Sequence, residues 1–192
     1  ATNASLSFDN AGNCWVCKSD YIDFSPLVGN ICLDNLIPQF RQIFDTWRYD
    51  SRYCNLVSNE WSEVVVPWYS ALLQQYIPDS KELILWLQHS QGKHFIHGDF
   101  TLSNIYLDSS NKIVVIDYEN ATLGPLLWDE TTLVYSFIEQ KQFGAAKKIY
   151  DTFGCSKEML RVICSIRLAL SIRKSYNVEH RIEAHEFVMH NY

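Results

Sequence analysis

The chain has 192 residues, 47% of them hydrophobic and 20% charged, a composition that fits one folded domain, or one domain with a fragment of another, and excludes a disordered chain. A net charge of -6 with no basic run excludes the electrostatic footprint of a nucleic-acid binder. No apolar stretch approaches the roughly 20 residues that span a bilayer, and the opening ATNASLSFDN lacks the charged and apolar regions of a signal peptide, so a cytoplasmic location is expected.

In chain order, Ser5 to Phe8 and Cys14 to Ile22 read as two strands joined by the turn formers Asp9-Asn10-Ala11-Gly12-Asn13. Leu36 to Arg48 has helical periodicity, with Pro38 expected in its first turn, where proline is tolerated. Asn59 to Tyr76 carries an apolar stripe from Trp61 to Leu73 that Pro67 should kink or divide. Asp79 reads as the N-cap of a helix over 81–89, with Glu82 at the capping-box position. Four more helices follow residue 129, over 130–140, 143–153, 157–176 and 178–190. Gly154 looks like a stop signal and Ser156 like an N-cap. The 157–176 helix has a wide apolar face that includes Arg167, so it should be a central packing element. The last helix is polar, with Glu179, Glu183 and Glu186 at helical spacing, which is usually a solvated face.

The six cysteines read as reduced thiols, because the chain is too long and core-rich for a disulfide scaffold. Cys14-x-x-Cys17 has no second ligand pair at zinc spacing. His180 and His185 are five apart, poor geometry for shared ligation. Trp47, Trp61, Trp68 and Trp128 are enough to build an aromatic cage for a quaternary amine, but their spacing fits core packing better.

The chemistry sits in HFIHGDFTLSNIYLDSSNKIVVIDYE, residues 94–119. Phe95-Ile96 and Ile105-Tyr106-Leu107 bracket a polar loop, and Ile113 to Ile116 runs into an aspartate. The turn between the last two runs is Asp108-Ser109-Ser110-Asn111. Phosphoryl transfer needs this layout, since the enzyme mainly positions groups and neutralises charge. Asp99 at the loop tip suits proton acceptance from a hydroxyl, and Asn104 and Asp117 offer the oxygen ligands that a hard cation such as magnesium prefers.

The order His97-Gly98-Asp99, then Asn104, then Asp117 resembles the catalytic and metal loops of the protein-kinase-like fold. Gly98 stands where protein kinases put arginine, so the chain is similar to the aminoglycoside phosphotransferase and choline kinase group. Asp117-Tyr118-Glu119-Asn120-Ala121, Gly124-Pro125 and Trp128-Asp129-Glu130 resemble the next part of that pattern. Asp117 and Asp129 are too close for a protein-kinase activation segment, and no Ala-Pro-Glu follows. The segment Asp20-Tyr21-Ile22 resembles the hinge whose backbone meets adenine.

The resemblance implies an α+β fold: a mainly helical kinase-like large lobe with short catalytic β-hairpins, preceded by an incomplete small-lobe hairpin. Residues 1–24 would be that hairpin and hinge, and 25–192 the large lobe. It implies an ATP- or GTP-dependent phosphotransferase acting on a small hydroxylated molecule such as an aminoglycoside, amino alcohol or sugar, with Mg2+ as cofactor. Asp99 would be catalytic, Asn104 and Asp117 metal ligands, and Asp20, Tyr21 and Ile22 the nucleotide hinge. His97 and Asp129 would support the loop, and Glu130, Glu179 and Glu183 would be acceptor-site candidates. A glycine-rich phosphate loop and a paired lysine strand should precede the hinge, and the seven glycines form no such loop. Lys18 is read as part of the strand into the hinge. The expectation is therefore a piece of a longer kinase or a truncated relative, with a kinase-like binding or regulatory module as the alternative function.

Overall fold

The computed structural model describes residues 5–9, 14–18, 25–26, 33–55, 57 and 61–192. Strands β1 (Ser5–Asp9) and β2 (Cys14–Lys18) pair antiparallel, with Ser5 opposite Lys18. The expected hinge residues Asp20, Tyr21 and Ile22 lie outside the described residues. β3 (Ser25–Pro26) joins β5 (Ile105–Leu107) and β6 (Ile113–Val115) in a three-stranded antiparallel sheet. β4 (His94–Ile96) pairs with β7 (Thr122–Gly124). β4 and β7 flank the 97–117 segment, β5 and β6 lie within it, and helices supply most of the remaining structure.

Helix α1 (Leu33–Tyr49) begins three residues earlier than its periodicity suggests. Pro38 therefore falls in its second turn, not the first. The helix buries Leu33, Leu36, Phe40, Phe44 and Trp47, one face at spacings of three and four. That face meets Phe100 edge-on: its ring centroid is 6.1 Å from Phe40, 5.0 Å from Phe44 and 5.5 Å from Trp47. Trp47 also stacks on His97 at 6.1 Å. The floor of the catalytic loop is thus an aromatic cluster, and each such edge contact adds about 0.5–1.5 kcal/mol to the burial itself.

After a short helix α2 (Ser51–Cys54), Pro67 divides the next apolar stripe as expected. A π-helical turn, Trp61–Val65, precedes α3 (Val66–Tyr76), and Pro67 sits at the N-terminal end of α3, where its missing N–H costs nothing. The expected capping box before α4 (Lys81–His89) does not form. Asp79 takes a left-handed conformation, φ 55°, and Ser80 occupies the cap position without a side-chain bond. Before α7 (Lys157–Lys174) the expected cap is present, with Ser156 Oγ accepting from Met159 N at 3.2 Å. Gly154, φ 67°, ends α6 (Phe143–Phe153).

Two helices share the centre where one was expected. α7 is buried over most of its length, and α5 (Trp128–Glu139) is buried from Trp128 through Ile138. α5 packs on α6, α7 and the terminal helix α8 (Val178–Asn191). Trp47, Trp61 and Trp128 are core side chains, which removes them from any aromatic cage. The buried Cys155 thiol is pushed up to about 12 by desolvation, so it is an inert packing residue. No helix among the described residues is long and apolar enough to cross a membrane.

Candidate functional site

The catalytic loop is fixed from below by a carboxylate in the first turn of α5. Asp129 is 3% exposed, and it accepts from His97 N at 2.7 Å through Oδ2 and from Gly98 N at 3.1 Å through Oδ1. Burial pushes its carboxyl up to about 8, against the backbone hydrogen bonds from His97 and Gly98, which lower it. Gly98 is at φ 80°, and a Cβ built there would lie 2.3 Å from the backbone oxygen of Asn120. Only glycine satisfies both the left-handed conformation and that close approach.

His97 ties the two ends of the site together. Its Nδ1 accepts from Asp99 N at 3.3 Å, so Nε2 carries the proton and donates to Ile116 O at 2.8 Å. The side chain is fully buried, and burial holds the imidazole below its usual pKa, hence neutral. Ile116 N in turn donates to Asn104 O at 3.1 Å. Asp99, Asn104 and the residue before Asp117 are therefore linked by consecutive hydrogen bonds. Asp108 closes the intervening hairpin, its Oδ1 accepting from Ser110 N at 2.8 Å and Lys112 N at 2.9 Å.

Asn104 uses Nδ2 twice, to Asp99 O at 2.9 Å and to Asp99 Oδ2 at 3.3 Å. That fixes the amide orientation and leaves its Oδ1 with no protein partner among the described residues. Asp117 is exposed, at φ 65° and ψ 63°, and its carboxylate has no hydrogen-bond or ion-pair partner among the described residues. One amide oxygen and one carboxylate could serve as the protein share of a magnesium shell, which usually takes one or two carboxylates plus water and phosphate oxygens. Among the described residues no group of three or more His, Cys, Asp or Glu converges as a metal site of its own.

The remaining candidates fall elsewhere. Glu130 is buried and accepts from Arg48 Nη2 at 2.6 Å. Glu183 pairs with Lys141 at 2.8 Å on the surface, and Glu179 is an exposed residue in the first turn of α8. A second charged side chain from outside the loop, after Asp129, meets it: Arg167 of α7, whose Nη2 donates to Asp99 Oδ1.

With this geometry in place, comparison with known proteins is informative. The phosphotransferase enzyme family (APH) matches residues 37–159. The chain belongs to that family. Among solved structures, an apo thermostable mutant of aminoglycoside phosphotransferase APH(4)-Ia has a TM-score of 0.64 at 15% identity, over 97% of this chain and 75% of that one. A ternary complex of the same phosphotransferase with ADP and hygromycin B gives 0.65 at 14% identity, over 97% and 74%. The choline kinase LicA from Streptococcus pneumoniae gives 0.59 at 11% identity, over 98% and 74%. The fold of this APH-family chain is therefore the kinase-like large lobe, α+β and mainly helical. No protein of curated function matches it in sequence.

Sequence reasoning missed the Arg167–Asp99 pair. A signal was present: an arginine on the apolar face of a central helix requires a buried partner. Nothing in the sequence says which of the acidic residues supplies it.

Proposed function

We propose that this APH-family chain carries the catalytic half of an ATP-dependent phosphotransferase that phosphorylates a hydroxyl of a small molecule. One observation supports the reading: His97 bonds both to Asp99 N and to Ile116 O, which links the backbone at the proton-accepting candidate to the residue before the metal-binding candidate Asp117. Residues 1–24 would contribute the small-lobe hairpin and hinge, with Asp20 to Ile22 against the nucleotide base, and 25–192 the large lobe. The complexes of fold relatives with ADP and hygromycin B and with AMP are in keeping with nucleotide use.

In this reading Asp99 receives the proton of the acceptor hydroxyl and aligns its oxygen for in-line attack. Asn104 and Asp117 hold Mg2+, which neutralises phosphate charge when bound. His97 stays neutral and keeps the loop in register, and Asp129 anchors the backbone under Gly98. The acceptor is an aminoglycoside, an amino alcohol or a sugar-like molecule.

The test is phosphate transfer from ATP to a panel of these acceptors by the full-length protein and by Asp99→Asn. Transfer by the wild type is expected, and the variant should lose about 10²–10⁴-fold in kcat while nucleotide affinity is retained. A full-length protein that transfers to none of them and binds no nucleotide overturns the enzymatic reading in favour of a kinase-like binding module.

A further inference from the structure

Arg167 stands 68 residues from Asp99 in sequence, in the middle of α7, yet its guanidinium meets the Asp99 carboxylate. The two side chains are 17% and 26% exposed. Burial alone would weaken the Arg167 cation, but the Asp99 charge and hydrogen bond outweigh it and raise its pKa, so the guanidinium stays charged.

The scaffold holds Arg167 in place through its backbone. Arg181 of α8 donates from Nη1 to Arg167 O at 3.0 Å, and its Nε donates to Glu139 Oε1 of α5 at 2.8 Å. α5 and α8 thus brace the α7 backbone from which this side chain projects. From α3, Tyr69 stacks on Trp128 at 6.1 Å, and its hydroxyl senses the charges of both Arg167 and Asp99.

Stability does not account for this arrangement. An enclosed ion pair is often no better than apolar side chains of the same volume, because desolvation offsets the attraction. What the pair does determine is direction. Asp99 Oδ1 is taken by Arg167, while among the described residues Oδ2 has only the long 3.3 Å bond from Asn104. Two anchored oxygens define the plane of the carboxylate, and one keeps acceptor capacity facing the Asn104 side.

We propose that Arg167 is a positioning residue for phosphoryl transfer, acting through Asp99: it fixes the carboxylate so that Oδ2 is the oxygen presented to the acceptor hydroxyl. This rests on the role of Asp99 proposed above. Arg167 is silent in a motif search, because it comes from a helix distant in sequence from every catalytic loop.

The test uses the full-length protein as wild type, Arg167→Met, Arg167→Lys, Asp99→Asn and the double variant Asp99→Asn/Arg167→Met. Phosphate transfer, KM for ATP and thermal melting are measured for each. Arg167→Met should lose on the order of 100-fold in kcat, the scale of an ångström-sized misplacement, with KM for ATP unchanged. Arg167→Lys should be intermediate, because an ammonium keeps the charge but not the planar fork. The double variant should be no slower than Asp99→Asn alone, since the arginine acts only through the carboxylate. Should Arg167→Met fail to fold, the lysine variant and its combination with Asp99→Asn carry the same comparison. Three results overturn the proposal: Arg167→Met or Arg167→Lys as fast as wild type, losses that simply multiply in the double variant, or a loss confined to KM for ATP. A wild type that transfers no phosphate sinks the underlying reading as well, whereas an active wild type with multiplying losses sinks only the role of Arg167.

Discussion

Asp99 and Asp117 share one site in opposite surroundings. Asp99 is enclosed: Arg167 and Asn104 bind its carboxylate and His97 accepts from its backbone. Asp117 has an exposed carboxylate with no partner among the described residues and sits in the left-handed region. The first is positioned by the protein itself. The second has coordination capacity to spare, as expected of a group whose partner arrives from solution. In the proposed function, the contrast separates a residue that the protein places from one that a metal would occupy.

The sharpest way to break this comparison is to remove each carboxylate in turn. Asp117→Ala should lose metal-dependent nucleotide binding by more than the roughly 10–100-fold that follows loss of even an outer-shell partner. Asp99→Ala should leave that binding nearly intact and lose turnover instead. Equal Mg-nucleotide affinity of wild type and Asp117→Ala, measured by calorimetry, would show that the free carboxylate is not a metal ligand. Melting should report the mirror image, with Asp117→Ala within about 0.5 kcal/mol of wild type.

Next in size is the anchor beneath the loop. Asp129→Ala strands two backbone N–H groups, each costing about 1–3 kcal/mol when left unsatisfied. We expect a loss of about 3 kcal/mol, or roughly 6–12 °C in melting temperature for a chain of this size. An unchanged melting temperature would mean that water replaces the carboxylate without cost. Gly98→Ala should be smaller on conformation alone, about 1–2 kcal/mol for the left-handed backbone. The 2.3 Å approach to Asn120 O adds to that, and turnover should suffer more than stability because Asp99 is the next residue.

Comparable in size per pH unit is a pH dependence of stability with two opposed parts. The folded His97 titrates below its usual 6.5, so the unfolded chain takes up a proton there that the fold refuses, and acidification below that value costs stability. Asp129 acts in the other direction. Between 3.8 and about 8 the folded carboxyl keeps a proton that the unfolded one has released, so stability falls as pH rises through that window. From 6.5 to 8 the Asp129 contribution changes without opposition from His97, at up to about 1.4 kcal/mol per pH unit. Melting temperatures taken across this range should decline for wild type and flatten for Asp129→Asn. A decline that persists in the variant would assign it to another group.

The loop and hairpin were legible because four polar residues and one glycine at fixed offsets sit among short apolar runs, and few other arrangements use them together. The helices from α5 onward were legible from period alone, to within a few residues at their ends. The site's supports were harder to read. β4 pairs with β7 across the whole catalytic hairpin, and three-residue strands are too short to carry a period. The π-helical turn at Trp61–Val65 has an apolar pattern indistinguishable from that of an α-helix. Glu130 looked available to a substrate, but its partner Arg48 comes from a helix 82 residues earlier. Arg167 was counted only as part of an apolar face. In each case the missing information is a long-range pairing, which local periodicity does not encode.

Position 98 has a consequence for control. In protein kinases the arginine at the corresponding place takes hold of a phosphate on a mobile segment and so couples activity to modification. Here the backbone of Asn120 occupies the space where any side chain at 98 would begin. The same three-residue turn, Tyr118–Asn120, leads straight into β7, which is bonded to β4. Position 98 therefore offers no side chain to receive a phosphate, and only eleven residues separate Asp117 from Asp129. In the proposed function, control of this site would rest with the ligands that bind it and not with a phosphate held at position 98.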